Sequence, residues 1–204
     1  RTDREMIGFQ EESARLAVRV ASREREFRVQ ADLFRGRRRR ITVNQVPIKT
    51  NAALGDVYHT VLFQPEDLDL IREGAAARRR FLDPALCQPR PRCAAALAGY
   101  ERAREQKTRI LRDFGQRPDL LEALPEFNQQ MIRFGAALIQ YRNQFCLRLS
   151  EIAAVHHREC SGGRERLELQ YQTVSSVEDS GADAGTLADR LRRHMESHRE
   201  AELS

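Results

Sequence analysis

The chain has 204 residues, 41% of them hydrophobic, with a formal net charge of +5 and an isoelectric point near 9.4. That length supports one or two modest cores. No apolar run approaches the ~18 residues of a membrane span, and no secretory signal is present, so a cytoplasmic rather than a membrane or exported protein is expected. The four cysteines, Cys87, Cys93, Cys146 and Cys160, lack paired C-x-x-C spacing and read as reduced thiols. Apart from Lys49 and Lys107 the basic residues are all arginine, and their modest excess fits an acidic partner without requiring one.

From about Arg15 to Phe63 the pattern is β. Leu16-Ala17-Val18-Arg19-Val20 alternates, a polar turn follows, and Phe27 to Leu33 alternates again. Phe34-Arg35-Gly36-Arg37 marks another turn before a short strand at Arg39 to Val43. Antiparallel strands with one solvated face show this period of two. Val57 to Phe63 is more continuously apolar and is expected to be a strand inside a sheet.

Pro65-Glu66-Asp67 then opens a helical part. Proline loses nothing in the first helical turn, and carboxylates suit the positive helix N-terminus. Leu68 to Arg80 is expected to be a supporting helix. Ala94 to Phe114 forms one long helix, with Cys93, Leu97, Tyr100, Ile110, Leu111 and Phe114 near one stripe, stopped by Gly115-Gln116-Arg117-Pro118. The next carries Phe127, Met131, Phe134, Leu138, Tyr141, Phe145, Leu149 and Ile152 at spacings of three and four, with Phe134 and Phe145 expected in the core. Ile132, Ile139, Cys146 and Ala153 widen that face beyond a two-helix seam. An antiparallel helical hairpin with a supporting helix satisfies this pattern. Leu167 to Val174 alternates as a returning strand, Ser175 to Gly185 reads as a mobile polar linker, and Thr186 to about His198 as a last helix. The fold class is therefore α+β, with divisions at 1–64, 65–160 and 161–204.

Several side-chain groups bear on function. Arg37, Arg38, Arg39 and Arg40, with Lys49 on the same hairpin, can contact phosphates without reading sequence, or can simply be solvated charge. If strand alternation continues through them, Arg37 and Arg39 face one way and Arg38 and Arg40 the other. Arg78, Arg79 and Arg80 sit beside Phe81 and can meet DNA or pair with Asp83 or Glu73. Arg102, Lys107 and Arg109 give the first long helix a basic surface, partly neutralised by Glu101 and Glu105. His156-His157-x-x-Cys160 lacks a second ligand pair at zinc spacing, so no metal site is expected. It also lacks an orienting acid for nucleophilic chemistry.

The run Val61-Leu62-Phe63-Gln64-Pro65-Glu66-Asp67-Leu68, followed by Arg78-Arg79-Arg80-Phe81-Leu82-Asp83, resembles the middle of the RecF family, the bacterial recombinational-repair ATPases of the ABC/SMC-like class. Further segments match in order. These are Arg1-Thr2, the Ile41 to Ile48 hairpin (where the family more often has glycine after the asparagine), Tyr100 with Glu105-Gln106-Lys107, Leu138 to Arg142, and His157 with Ser161 to Glu165. The resemblance implies the β-rich remainder of a first ATPase lobe and a helical lid.

What the resemblance implies for the full-length protein is broader. It is a weak DNA-dependent ATPase that binds ATP and Mg2+, dimerises on nucleotide and recognises single-strand/duplex DNA junctions. It works with RecO and RecR in RecA loading, in repair, replication and the SOS response. Gln64 falls where such ATPases carry a glutamine near magnesium and the attacking water, and Arg1 where SMC-like proteins bring an arginine to phosphate. Neither a G-x-x-x-x-G-K-[ST] loop nor a Walker B strand occurs here, and no initiating methionine does. The chain is therefore expected to be an internal piece that binds no cofactor and is inactive alone. Cys160-Ser161-Gly162-Gly163 contains the Ser-Gly-Gly of an ABC signature but precedes a strand pattern, so it reads as a helix stop. The rival readings are a non-enzymatic helical protein-interaction module and a free-standing arginine-rich nucleic-acid binder.

Overall fold

The alternation of Leu16, Val18 and Val20 with Arg15, Ala17 and Arg19 does build a strand, and three more follow it. In the computed structural model, which describes residues 3–21, 25–49, 51–55 and 57–203, β1 (Ser13–Ala21), β2 (Glu26–Phe34), β3 (Arg40–Val43) and β4 (Val46–Ile48) form one antiparallel sheet in sequential order. The register sets Leu16 opposite Ala31, Val18 opposite Val29, Ala31 opposite Ile41 and Val29 opposite Val43. One face is therefore apolar throughout, because side chains two apart share a face. Val29 and Leu33 at its centre are buried, whereas Leu16 and Val18 on edge strand β1 remain 50% and 45% exposed. Asn44 and Gln45 both take positive φ, 48° and 70°, which matches the right-handed twist of a two-residue hairpin. The Asn44 side-chain oxygen accepts from the Arg28 amide at 2.7 Å and ties that turn to β2.

The chain divides into two compact units, Arg1–Phe63 and Gln64–Ser204. In the second, a 3-10 turn (Pro65–Leu70) precedes α1 (Ala75–Cys87), α2 (Pro91–Asp113) and α3 (Leu124–Cys160), with α4 (Ala184–Ser197) and α5 (Arg199–Leu203) at its end. The α2–α3 hairpin packs closely because α2 buries small residues, Ala96, Gly99 and Ala103, alongside Cys93 and Ile110. A β-carbon on Gly99 would lie 2.5 Å from the Phe134 ring, so only glycine admits that aromatic. Leu86, Cys93, Ala96 and Leu138 form one core, with Phe134 and Phe145 half-buried around it. Ile132, Ala136, Ile139, Val177, Leu187 and Leu191 form another, where α4 lies on α3.

Four expectations are corrected. Leu68 to Arg80 is not one helix, since the 3-10 turn ends at Leu70 and α1 starts only after Gly74. Val57 to Phe63 is not a strand; Val61, Leu62 and Phe63 are 100%, 69% and 76% exposed. An apolar run has the composition of a buried strand but cannot supply the neighbour that a ladder needs. Leu167 to Val174 likewise joins no ladder. Its alternation is real, for Leu167, Leu169, Tyr171 and Thr173 are the half-buried residues, and the Leu169 amide donates to Ser150 Oγ of α3 at 2.9 Å. The linker from Ser175 is packed down, with Val177 buried and Ser180 Oγ donating to Asn143 at 3.0 Å. Asp183 then caps α4, accepting from the Gly185 and Thr186 amides, as short polar side chains do at an N-cap.

Candidate nucleic-acid interface

The arginine run after β2 does not continue as a strand, so side-chain alternation does not govern it. Arg37 to Arg39 lie in the connection and only Arg40 enters β3. Each then has its own surroundings. The Arg37 guanidinium sits 3.8 Å above the Phe34 ring, a cation–π arrangement. Arg39 Nη1 is 3.2 Å from Asp3 Oδ1. Arg38 and Lys49 are exposed and, among the described residues, have no acid partner. Arg40 pairs in register with Asp32, whose carboxyl already accepts Arg15 Nε at 2.7 Å. That bond, acting against partial desolvation and helped by Gln30, holds the Asp32 pKa below its ordinary value.

The second basic group lies at the start of α1. Arg78 Nη1 donates to the Glu73 carbonyl at 2.9 Å, and Arg80 Nη2 lies 3.1 Å from the Glu73 carboxylate. Arg79 is exposed and has no acid partner among the described residues. Asp83, the other anticipated partner, is taken by a residue the sequence reading did not single out. It accepts two bonds of 2.8 Å from Arg142 of α3, with the side chains only 14% and 12% exposed. Burial alone would lower the Arg142 pKa, but the hydrogen bonds it donates to Asp83, with Tyr171 beside it, outweigh that and raise it. Lys107 is also removed from the surface, being 6% exposed with its Nζ 2.7 Å from Glu202 of α5. The basic surface expected on α2 therefore lacks it. No spacing rule could have found Arg142–Asp83 or Lys107–Glu202, because these partners are 59 and 95 residues apart.

The positions nearest to nucleotide chemistry by resemblance are Gln64 and Arg1. Gln64 is exposed and stands before the 3-10 turn; its amide donates to Asp67 Oδ2 at 2.8 Å, and the Asp67 amide returns to the Gln64 carbonyl at 2.9 Å. Asp67 is thus occupied in capping. Arg1 lies outside the described residues. Gly162 and Gly163 take φ of +61° and +78°, with the Gly163 amide bonded to the Arg158 carbonyl at 2.8 Å. That is a helix C-terminal stop, whose negative end would repel phosphate. Among the described residues, neither Gln64 nor the Gly162-Gly163 stop offers a phosphate cradle for ATP. His157 Nε2 lies 2.9 Å from Glu165, and no group of three potential metal ligands converges among the described residues. Cys87 and Cys93 sulfurs are 3.4 Å apart, with burial pushing the Cys93 thiol up to about 12, so neither is an activated nucleophile. No helix among the described residues is long and apolar enough to cross a membrane.

No protein-family model matches the chain. It is 36% identical over 177 residues to the DNA replication and repair protein RecF of Agathobacter rectalis, covering 87% of this chain and 48% of that protein. With RecF of Lachnoclostridium phytofermentans it shares 32% over 194 residues, or 95% and 52% of the two chains. With RecF of Leifsonia xyli it shares 34% over 192 residues, or 92% and 50%. A solved structure of the recombination mediator protein RecF-ATPrS in the RecFOR pathway superposes with a TM-score of 0.87 at 22% identity, over all of this chain and 54% of that one. A RecF-ATP structure gives 0.79 at 24%, over 96% and 52%.

The chain spans about half the length of the curated relatives it matches. The α+β fold, a small antiparallel sheet with a helical hairpin, is that of this half of RecF. In sequence as well the chain resembles an internal part of the DNA replication and repair proteins named RecF, over most of its own length.

Proposed function

We propose that the chain forms the DNA-facing part of a RecF-like recombinational repair protein. The observation that supports this is an ordered match to RecF over 87–95% of the chain at 32–36% identity. In this reading the whole protein is a cytoplasmic ATPase that binds ATP with Mg2+ and closes as a homodimer on nucleotide. It engages single-strand/duplex junctions and acts with RecO and RecR to load RecA during repair and the SOS response. Such an enzyme leaves little covalent chemistry to side chains and depends on phosphate cradling and magnesium. Those groups have no counterpart in this sequence, so the chain itself contributes electrostatic attraction to DNA, through Arg37 to Arg40, Lys49 and Arg78 to Arg80. Arg38, Lys49 and Arg79 are the most available of these.

Two measurements on the 204-residue chain test the reading. Fluorescence anisotropy with a labelled duplex should show weak binding, with Kd on the order of 10⁻⁴–10⁻⁶ M, that tightens as salt falls. Calorimetry with Mg-ATP should show no binding. No association with DNA even at low salt would overturn the DNA-facing role, and micromolar ATP affinity would overturn the division of labour. A helical interaction module is the second reading. Its support is the exposed Leu147, Ile152 and Val155 on the C-terminal half of α3.

A further inference from the structure

The register of the sheet gathers charges that are far apart in sequence. On the face opposite the apolar one, Arg15, Ala17 and Arg19 of β1 lie against Asp32, Gln30 and Arg28 of β2, and Arg40 of β3 lies on the far side of Asp32. Arg15, Arg19, Arg28 and Arg40 are all exposed. The acids on the same face are Asp32, held by Arg15, and Glu26 at the end of β2. Arg37, folded over Phe34, brings a fifth guanidinium to its border.

The centre of this face is the pair Arg19–Arg28. These two are direct cross-strand partners, so their β-carbons are roughly 5 Å apart, a placement that is unfavourable for like charges. Neither side chain has an acid partner among the described residues. A merely solvated face would be more stable with an acid at one of the two positions. The pair gains only when something negative bridges it, and two neighbouring phosphates or one shared phosphate do so. The surroundings suit a large anion, because Ala17 and Ala21 are small and leave the guanidinium groups standing clear of the sheet. Arginine also presents a planar fork that matches phosphate oxygens in pairs.

We propose that this polar sheet face, centred on Arg19 and Arg28 with Arg15 and Arg40 beside them, is a track for the phosphate backbone of duplex DNA. The inference rests on the DNA-binding reading above and moves the centre of the contact to Arg15, Arg19 and Arg28, which that reading does not include, with Arg40 common to both. The attraction is sequence-independent and salt-sensitive, and it lies wholly within the unit Arg1–Phe63.

The test is the salt dependence of duplex binding by the whole chain, in three variants beside the wild type: Arg19→Ala with Arg28→Ala, Arg19→Lys with Arg28→Lys, and Arg78→Ala with Arg79→Ala and Arg80→Ala. Two lost phosphate contacts should reduce the slope of log affinity against log salt by about 1.8. The double alanine variant is expected to show that loss, and the double lysine variant to recover most of the affinity. The melting temperature of the double alanine variant should stay level or rise, since a like-charge pair has been removed; a structural role would lower it. If the wild type binds and the double alanine variant keeps the full slope, whether or not the Arg78–Arg80 variant loses it, the track is overturned while the DNA-facing role stands. If the wild type does not bind at low salt, both fall together.

Discussion

Arg142 and Arg28 carry the same side chain into opposite situations. Arg142 crosses from α3 to α1, spends both forks on Asp83 and is nearly buried. Arg28 stands exposed on β2 with another arginine directly opposite. The contrast extends to their units. In Gln64–Ser204 much of the central positive charge is consumed by the fold, through Arg142–Asp83, Lys107–Glu202, Arg80–Glu73 and the Arg78 bond to a carbonyl. In Arg1–Phe63 the Arg19, Arg28 and Arg38 side chains have no acid partner among the described residues. The same side chain thus serves two ends: Arg142 holds two helices together, whereas Arg28 is available to a partner.

If this contrast is right, removing the two kinds of arginine should have unlike effects on stability. Arg142→Ala leaves Asp83 buried and unpaired, which should lower stability by about 3–5 kcal/mol, read as a fall in the urea midpoint. Arg28→Ala, on an exposed face, should change it by less than about 0.5 kcal/mol. Equal effects would erase the distinction.

The hairpin seam should be nearly as sensitive. Phe134→Ala should cost about 3 kcal/mol, at the low end for a buried phenylalanine because the ring is half-buried. Gly99→Ala attacks the same contact from the other helix and should cost about 1–3 kcal/mol through overpacking. An unchanged midpoint for both would mean that α2 and α3 do not meet there. In the sheet unit the expected change is favourable. Gln45 holds φ of 70° without being glycine, so Gln45→Gly should raise stability by roughly 1 kcal/mol.

The smallest effect is pH-dependent and belongs to α4. Burial chiefly, with the neighbouring His198, lowers the His194 pKa, with Glu202 opposing and Lys107 adding to the shift. Its Nδ1 is buried without a partner. A histidine with a depressed folded pKa favours the neutral form, so its contribution is present above the ordinary value near 6.5 and lost as pH falls through the folded pKa. The melting temperature should therefore drop modestly between pH 7 and 5, and His194→Gln should flatten that drop.

Much of the fold was legible in the sequence wherever a pattern is local. Period-two alternation placed β1 and β2, the three-four stripe placed α3, and Gly115 to Pro118 marked the end of α2. The stop at Gly162-Gly163 was legible because positive φ favours glycine. What was not legible depends on partners. Val57 to Phe63 and Leu167 to Val174 have strand composition, but a ladder requires a neighbour that composition cannot name. The α2 stripe was read from its large residues, whereas close helix contact is made by Ala96, Gly99 and Ala103. Likewise Lys107 looked like surface because lysine usually is, and only Glu202 makes its burial tolerable. The meeting of Arg19 with Arg28 needed the register of two strands, which single-sequence alternation does not fix.

The central claim, that this chain does the work of the matching half of RecF, is tested most directly by exchange. The matching segment of RecF from Agathobacter rectalis would be replaced by this chain, and the hybrid expressed in bacteria lacking RecF. Survival after ultraviolet damage would then be scored beside the parent RecF and a hybrid carrying Arg19→Ala and Arg28→Ala. The account predicts that the hybrid restores resistance and that the double variant, though equally abundant, restores less. A folded, expressed hybrid that leaves the cells as sensitive as those without RecF would contradict it.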